Sequence, residues 1–165
     1  MEALRQLYAG LGYAGVQSYI QSGNVIFNTP ETDTHTLETT ISEQIHETFG
    51  FKVSVLVITT DELADTLKNN PYPTDSLKDP ARIYLTFLSK TPDSSLLDAI
   101  PPPFYAPDEF SLYQKVIYNY CPNGYGKTKL TNTFFEKKLN LSATNRNLKT
   151  MTELLALAQK AQVGF

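Results

Sequence analysis

Leu4, Leu7 and Leu11 recur at three- and four-residue spacing, which predicts a helix over residues 2–11 with Gly12 as its stop. From Val16 to Ile20 the period drops to two. Gln21-Ser22-Gly23-Asn24 is turn chemistry, and Val25-Ile26-Phe27 reads as the return strand of a hairpin. Leu37, Ile41 and Ile45 then share one helix face, with Asp33 or Thr34 as cap and Gly50 as the stop after Phe49. The run Val53 to Ile58 is continuous and rich in β-branched residues, as in a well-buried strand. Thr59 and Glu62 have capping-box spacing and open a helix to about Asn69.

Residues 71–81 contain Pro71, Pro73 and Pro80, which forbid a continuing helix or a central strand, so this stretch is expected to be a linker. Beyond it, Ile83, Leu85 and Phe87 alternate with Tyr84, Thr86 and Leu88. A short helix fits 93–100, ended by Pro101-Pro102-Pro103. A second hairpin fits 110–113 and 116–120. A helix fits 128–139, and a short strand fits 141–145. A last helix is expected after Thr150 as its cap.

The two halves share an order. Residues 82–165 read β-α-β-β-α-β-α, the ferredoxin-like series with an added helix. Residues 1–70 read as the same series without its opening strand, and the hairpins share texture in Ser18-Tyr19-Ile20-Gln21 and Ser111-Leu112-Tyr113-Gln114. The expectation is an α+β chain of two tandem ferredoxin-like (βαββαβ) repeats, an internal duplication. The first, truncated repeat spans 1–70, the linker 71–81 and the second repeat 82–165. The first should then hold a three-stranded sheet with an extra open edge.

Composition adds exclusions. At 165 residues and 41% hydrophobic, the chain has enough material for a core. A single cysteine, Cys121, rules out a disulfide scaffold and suits a reducing cytoplasm. No apolar run is long enough to span a membrane, and the N-terminus lacks a signal-peptide layout. The net charge of -3 argues against a nucleic-acid binder that is basic all over. Charge is uneven, however. Residues 1–50 balance to -5 and residues 121–150 to +5, so an anionic partner should meet the later segment.

Four motifs resemble one bacterial family, the domain of unknown function 1697. They are Tyr19-Ile20-Gln21-Ser22-Gly23-Asn24-Val25-x-Phe27, Cys121-Pro122-x-Gly124-Tyr125-Gly126-x-x-Lys129-Leu130, Glu136-Lys137-Lys138-Leu139 and Ala143-Thr144-x-Arg146-Asn147-x-x-Thr150. The resemblance covers nearly the whole chain. It implies ferredoxin-like repeats and no established activity. Members of the family normally begin with a strand and an Arg-Gly-Ile-Asn-Val-Gly-Gly-like loop ahead of the equivalent of Met1. Met1 is therefore expected to be an internal methionine taken as a start, or the chain a truncated homologue. Leu148 stands where the family usually has tryptophan.

Gly124-Tyr125-Gly126-Lys127-Thr128-Lys129 precedes a helix, and glycine-turn N–H groups with lysines can hold an anion. The glycine spacing is not that of a P-loop. Arg146 can grip a phosphate or carboxylate in two places, whereas Thr144, Asn145 and Asn147 equally suit a cap on the last helix. Ser22-Gly23-Asn24 is better explained as a turn. His35 and His46 are eleven residues apart on one helix, about 16 Å, too far to share a metal. No metal, no cofactor and no acid–base pair are expected, and Cys121 reads as a small buried side chain.

The expected function is binding of a small anionic ligand, phosphorylated or nucleotide-like. Its contacts would be Gly124, Tyr125, Gly126, Lys127, Lys129, Arg146 and Asn147. One alternative is an enzyme of unknown reaction at the same cleft. The other is an RNA-binding or protein-interaction module using Tyr84, Tyr118 and Tyr120 on the sheet face, which requires those rings to be exposed.

Overall fold

A computed structural model describes residues 1–72 and 77–163. It is an α+β chain whose contacts divide it into two units. The first comprises Met1–Leu63 with the chain from Glu153 onward, and the second Ala64–Thr152. The divisions fall inside helices α3 (Thr60–Lys68) and α7 (Leu148–Val163). The linker expected over 71–81 includes 73–76, which lie outside the described residues.

In the first unit, α1 (Glu2–Gly10) leads into the hairpin β1 (Ala14–Tyr19) and β2 (Asn24–Asn28), paired antiparallel. Helix α2 (Thr34–Phe49) follows. The Asp33 side chain caps it by accepting from the His35 N–H, and Gly50 ends it at φ 82°. Leu37, Ile41 and Ile45 of α2 meet Leu7 and Tyr8 of α1 in one cluster, with Val25 and Phe27 of β2 packed against it. The Thr59 and Glu62 capping box forms in both directions, at 2.7 and 3.1 Å.

One expectation fails here. Residues 53–58 join no strand ladder, and the sheet has two strands, not three. The residues are nonetheless extended against the core. Val53, Val55 and Val57 pack on the α2 cluster. Ser42 Oγ donates to the Val53 carbonyl at 2.8 Å, and the Val57 N–H donates to Glu38 Oε1 at 2.9 Å. A β-branched run forms a strand only where another strand offers a ladder, and among the described residues none does so here.

The second unit holds β3 (Ile83–Leu88), α4 (Ser94–Asp98), α5 (Pro102–Tyr105), β4 (Glu109–Tyr113), β5 (Val116–Tyr120), α6 (Asn132–Leu139) and β6 (Ala143–Asn147). The strand order is β4-β5-β3-β6, every neighbour antiparallel. The run Pro101-Pro102-Pro103 starts a helix as well as ending one. Pro102 and Pro103 sit in the first turn of α5, where a missing N–H costs nothing. Helix α6 begins later than expected because Thr131 is the residue whose side chain caps it, accepting from the Phe134 N–H at 3.1 Å. Thr150 is not the cap of α7. Asn147 Oδ1 accepts from the Thr150 N–H at 2.7 Å and so holds the helix start three residues earlier.

Alternation assigns the two faces of the larger sheet. Leu88 and Ile117 join Leu97, Ile100, Leu130, Phe135 and Leu139 beneath the helices. The opposite face carries Leu85 and Tyr118. Tyr118 is fully buried, and its hydroxyl donates to the Thr66 carbonyl at 2.7 Å.

Candidate functional site

The loop after β5 is set by local chemistry. Gly124 sits at φ 91°, a region that L side chains rarely adopt, and its N–H donates to the Cys121 carbonyl at 2.9 Å. A 3-10 turn over Tyr125–Lys127 follows, in which the Lys127 and Thr128 N–H groups donate to the Gly124 and Tyr125 carbonyls. Thr128 Oγ1 donates to Asp108 Oδ2 at 2.5 Å and accepts from the Leu130 N–H at 3.0 Å. Several N–H groups expected to face an anion are thus engaged within the protein. The start of α6 is engaged too, since the Asn132 N–H donates to the Tyr125 hydroxyl at 2.9 Å.

Tyr125 carries the loop onto the sheet. Its ring lies 5.1 Å from that of Tyr84 on β3, and Asn147 stands directly opposite Tyr84 in register on β6. Arg82, just before β3, lays its guanidinium beside Gly124. A Cβ placed at Gly124 would lie 2.7 Å from Arg82 Nη1. Arg82 and Lys127 are both exposed. Residue-by-residue reading missed Arg82. The available signal was spacing, since Arg82 stands two residues before Tyr84 at the entry to the alternating run.

Two expected members do not join this group. Arg146 pairs opposite Leu85, so its side chain leaves from the face away from Tyr125. There its Nη1 donates to Thr144 Oγ1 at 2.9 Å and to the Asn145 carbonyl at 2.7 Å, and burial draws the guanidinium pKa down. Lys129 turns toward α5, with Nζ 5.3 Å from the Phe104 ring centroid. Asn147 is in place, but its side-chain oxygen caps α7.

The tyrosines proposed for base stacking are differently placed. Tyr118 is buried, and Tyr120 is flanked by Tyr72 at 6.0 Å and by Lys78 Nζ at 4.8 Å. Protein groups therefore fill the positions where bases would stack. A polar trio lies on the helix side, with Thr86 and Asn119 fully buried and Asn145 half-buried. Asn119 and Asn145 both donate to Thr86 Oγ1, at 3.0 and 2.9 Å, fixing β5 and β6 to the central strand. A shallow groove of about 550 Å³ lies at the other end of α6, lined by Ser89, Lys90, Glu136, Lys137 and Asn140 among others. Cys121 is buried, which pushes its thiol up to about 11, so no thiolate nucleophile exists near neutral pH. Among the described residues no His, Cys, Asp and Glu side chains group to hold a metal, and no helix is long and apolar enough to cross a membrane.

Gly124→Ala should lower stability by about 1–2 kcal/mol, because alanine is strained at this positive φ and its methyl displaces Arg82. Urea unfolding of the variant beside Gly126→Ala checks this, since a Cβ at Gly126 meets nothing within 4 Å. Equal losses at the two positions would contradict it.

Among the described residues, fold and site together define an α+β protein with two antiparallel sheets and a basic loop seated against the central strand β3 of the larger one. The sequence profile of the family described as protein of unknown function (DUF1697) matches residues 1–118, and the chain belongs to that family. The basic loop and β6 lie beyond the matched stretch. No curated protein matches the chain. Among solved structures, the conserved bacterial protein SP0830 from Streptococcus pneumoniae superposes with a TM-score of 0.71 at 20% identity. The superposition covers 96% of this chain and 88% of that one, and at this identity the likeness is one of fold.

Proposed function

We propose that the chain binds a small anionic ligand, phosphorylated or nucleotide-like, at the mouth formed by Arg82, Tyr84, Gly124, Tyr125 and Lys127. The observation that carries this reading is the seating of Tyr125 on Tyr84 with the Arg82 guanidinium beside Gly124, at the turn that also carries Lys127. Two cations from separate segments there favour an anion, and the paired tyrosine rings offer a flat apolar wall to a base or sugar. In this reading Arg146 is a strand-tying residue and Lys129 a peripheral charge. The two units are read as tandem ferredoxin-like repeats from an ancestral duplication. The second has all four strands in the order such a repeat requires, and the described residues of the first carry the hairpin and helix of the same series.

Thermal melts against phosphate, nucleotides and sugar phosphates test the site. A ligand at a hundred times its dissociation constant should stabilise by about 2.7 kcal/mol. The response should vanish in Arg82→Ala/Lys127→Ala and persist in Arg146→Ala. A response lost only with Arg146 would move the site to the other sheet face. No response across the panel would overturn the reading.

A further inference from the structure

The groove at the C-terminal end of α6 shares no residue with the mouth proposed above, and its walls are fixed within the second unit. Asn140 ends α6 in the left-handed region at φ 53° and turns the chain toward β6. The end of β3 is tied to the chain entering β6. The Ser89 N–H donates to the Ser142 carbonyl at 2.9 Å, and the Ser142 N–H donates to Ser89 Oγ at 3.2 Å. Glu136 is held as well, since its Oε1 accepts from Asn132 Nδ2 at 3.1 Å and from the Ala143 N–H at 3.3 Å. These bonds keep the walls of a space of about 550 Å³ in place before anything enters it, and that volume suits a small molecule.

The lining decides which molecule. The hydroxyls of Ser89, Thr133 and Ser142 stand with Lys90, Glu136 and Lys137. Among the described residues that line the groove there is no aromatic ring, so a nucleobase finds no face to stack on. Lys90 and Lys137 are exposed, and neither joins an ion pair among the described residues. Two lysines against one glutamate leave the lining with a single net positive charge. A phosphomonoester carries close to two negative charges near neutral pH, whereas a carboxylate carries one. Glu136 repels an anion at its own position but accepts strongly from hydroxyls, because a charged acceptor makes the stronger hydrogen bond. Ser89 Oγ already accepts from the Ser142 N–H, so its hydroxyl hydrogen is left to donate. We infer that the groove binds a polyhydroxylated monocarboxylate, a sugar acid, with its carboxylate on Lys90 and Lys137 and its hydroxyls on Glu136 and Ser89. The inference is independent of the anion mouth, which uses other residues and offers an aromatic wall instead.

The test is a titration of the isotope-labelled intact chain followed by amide NMR shifts. Glucuronate is the probe, acetate the carboxylate without hydroxyls, and glucose the hydroxyls without a carboxylate. Glucuronate should shift the amides of 89–90 and 136–142 to saturation. Acetate and glucose should each bind about tenfold or more weakly, since each forgoes hydrogen bonds to charged groups. Lys90→Ala/Lys137→Ala should weaken glucuronate by a similar factor, and Arg82→Ala/Lys127→Ala should leave its titration unchanged. Glu136→Gln keeps an acceptor for the Ala143 N–H, so the groove stays folded, and the preference for glucuronate over acetate should shrink. Equal binding of acetate and glucuronate would reduce the groove to two exposed lysines and overturn the proposal. Shifts confined to 124–127 would overturn it too, by moving the ligand to the mouth. A preference unchanged in Glu136→Gln would overturn the placing of the hydroxyls. None of these results bears on the melts that test the mouth.

Discussion

Between pH 9 and pH 12 both units should lose stability steeply. Tyr8 is 6% exposed and Tyr118 fully buried, and burial pushes each phenol up to about 12 from 10.0. Burial likewise pushes the Cys121 thiol up to about 11 from 9.0, against a weaker opposing hydrogen bond from Thr128. Each group is neutral when protonated, so the folded chain keeps its proton after the unfolded chain has released its own. The stability these groups contribute is fully present below pH 9–10. It is lost as pH rises through the folded values, by about 2–3 kcal/mol per group. That approaches the whole stability of a small domain. Urea unfolding midpoints at pH 8 and pH 11.5 measure it. Tyr118→Phe should start less stable by about 1–2 kcal/mol, through loss of the bond to the Thr66 carbonyl, and should show a shallower alkaline slope. A midpoint unchanged across this range would refute the account.

The largest single-residue effect is expected at Phe135. Its side chain is fully buried among Leu88, Leu97, Ile117, Leu130 and Leu139, with the Phe134 and Phe110 rings at 5.4 and 6.1 Å. Phe135→Ala should cost about 3–5 kcal/mol, the transfer energy of the ring plus the cavity it leaves. The consequence reaches the site. Helix α6 rests on the sheet through this residue, and the Asn132 N–H at its start holds the Tyr125 hydroxyl. The ligand-induced thermal shift should therefore fall in this variant even where it remains folded. Phe134→Ala, half-buried, should cost less. A loss below about 1 kcal/mol at Phe135 would mean that α6 is held elsewhere.

Much of the site's scaffold is legible in local signals. The Thr59 and Glu62 box, the Asp33 cap and the Gly50 stop involve groups a few residues apart, so the sequence alone carries them. The same holds for the turn at Gly124 and for both hairpins. Arg146 was not legible in this way. Its role depended on whether it fell on an even or an odd position of β6, and that strand runs two residues later than the apolar pattern suggests. A one-residue change of register sends a side chain to the other face. Arg82 was missed for the complementary reason. Its neighbour Gly124 is 42 residues away in the chain and reaches it only because Cys121 N–H pairs with the Arg82 carbonyl at 2.9 Å.

By itself, the sequence determined the α+β class, most of the helices, both hairpins and the segregation of basic charge after β5. These follow from periodicity, capping and turn chemistry, whose energies act over a handful of residues. The tertiary structure decided which faces Arg82, Tyr125 and Arg146 share. It also decided that 53–58 packs on its helix and joins no strand ladder among the described residues. The physical reason is that a strand is completed by its neighbour. Its own residues can specify an extended, half-apolar backbone, but the hydrogen-bonding partner and the exposed face are properties of the assembled sheet.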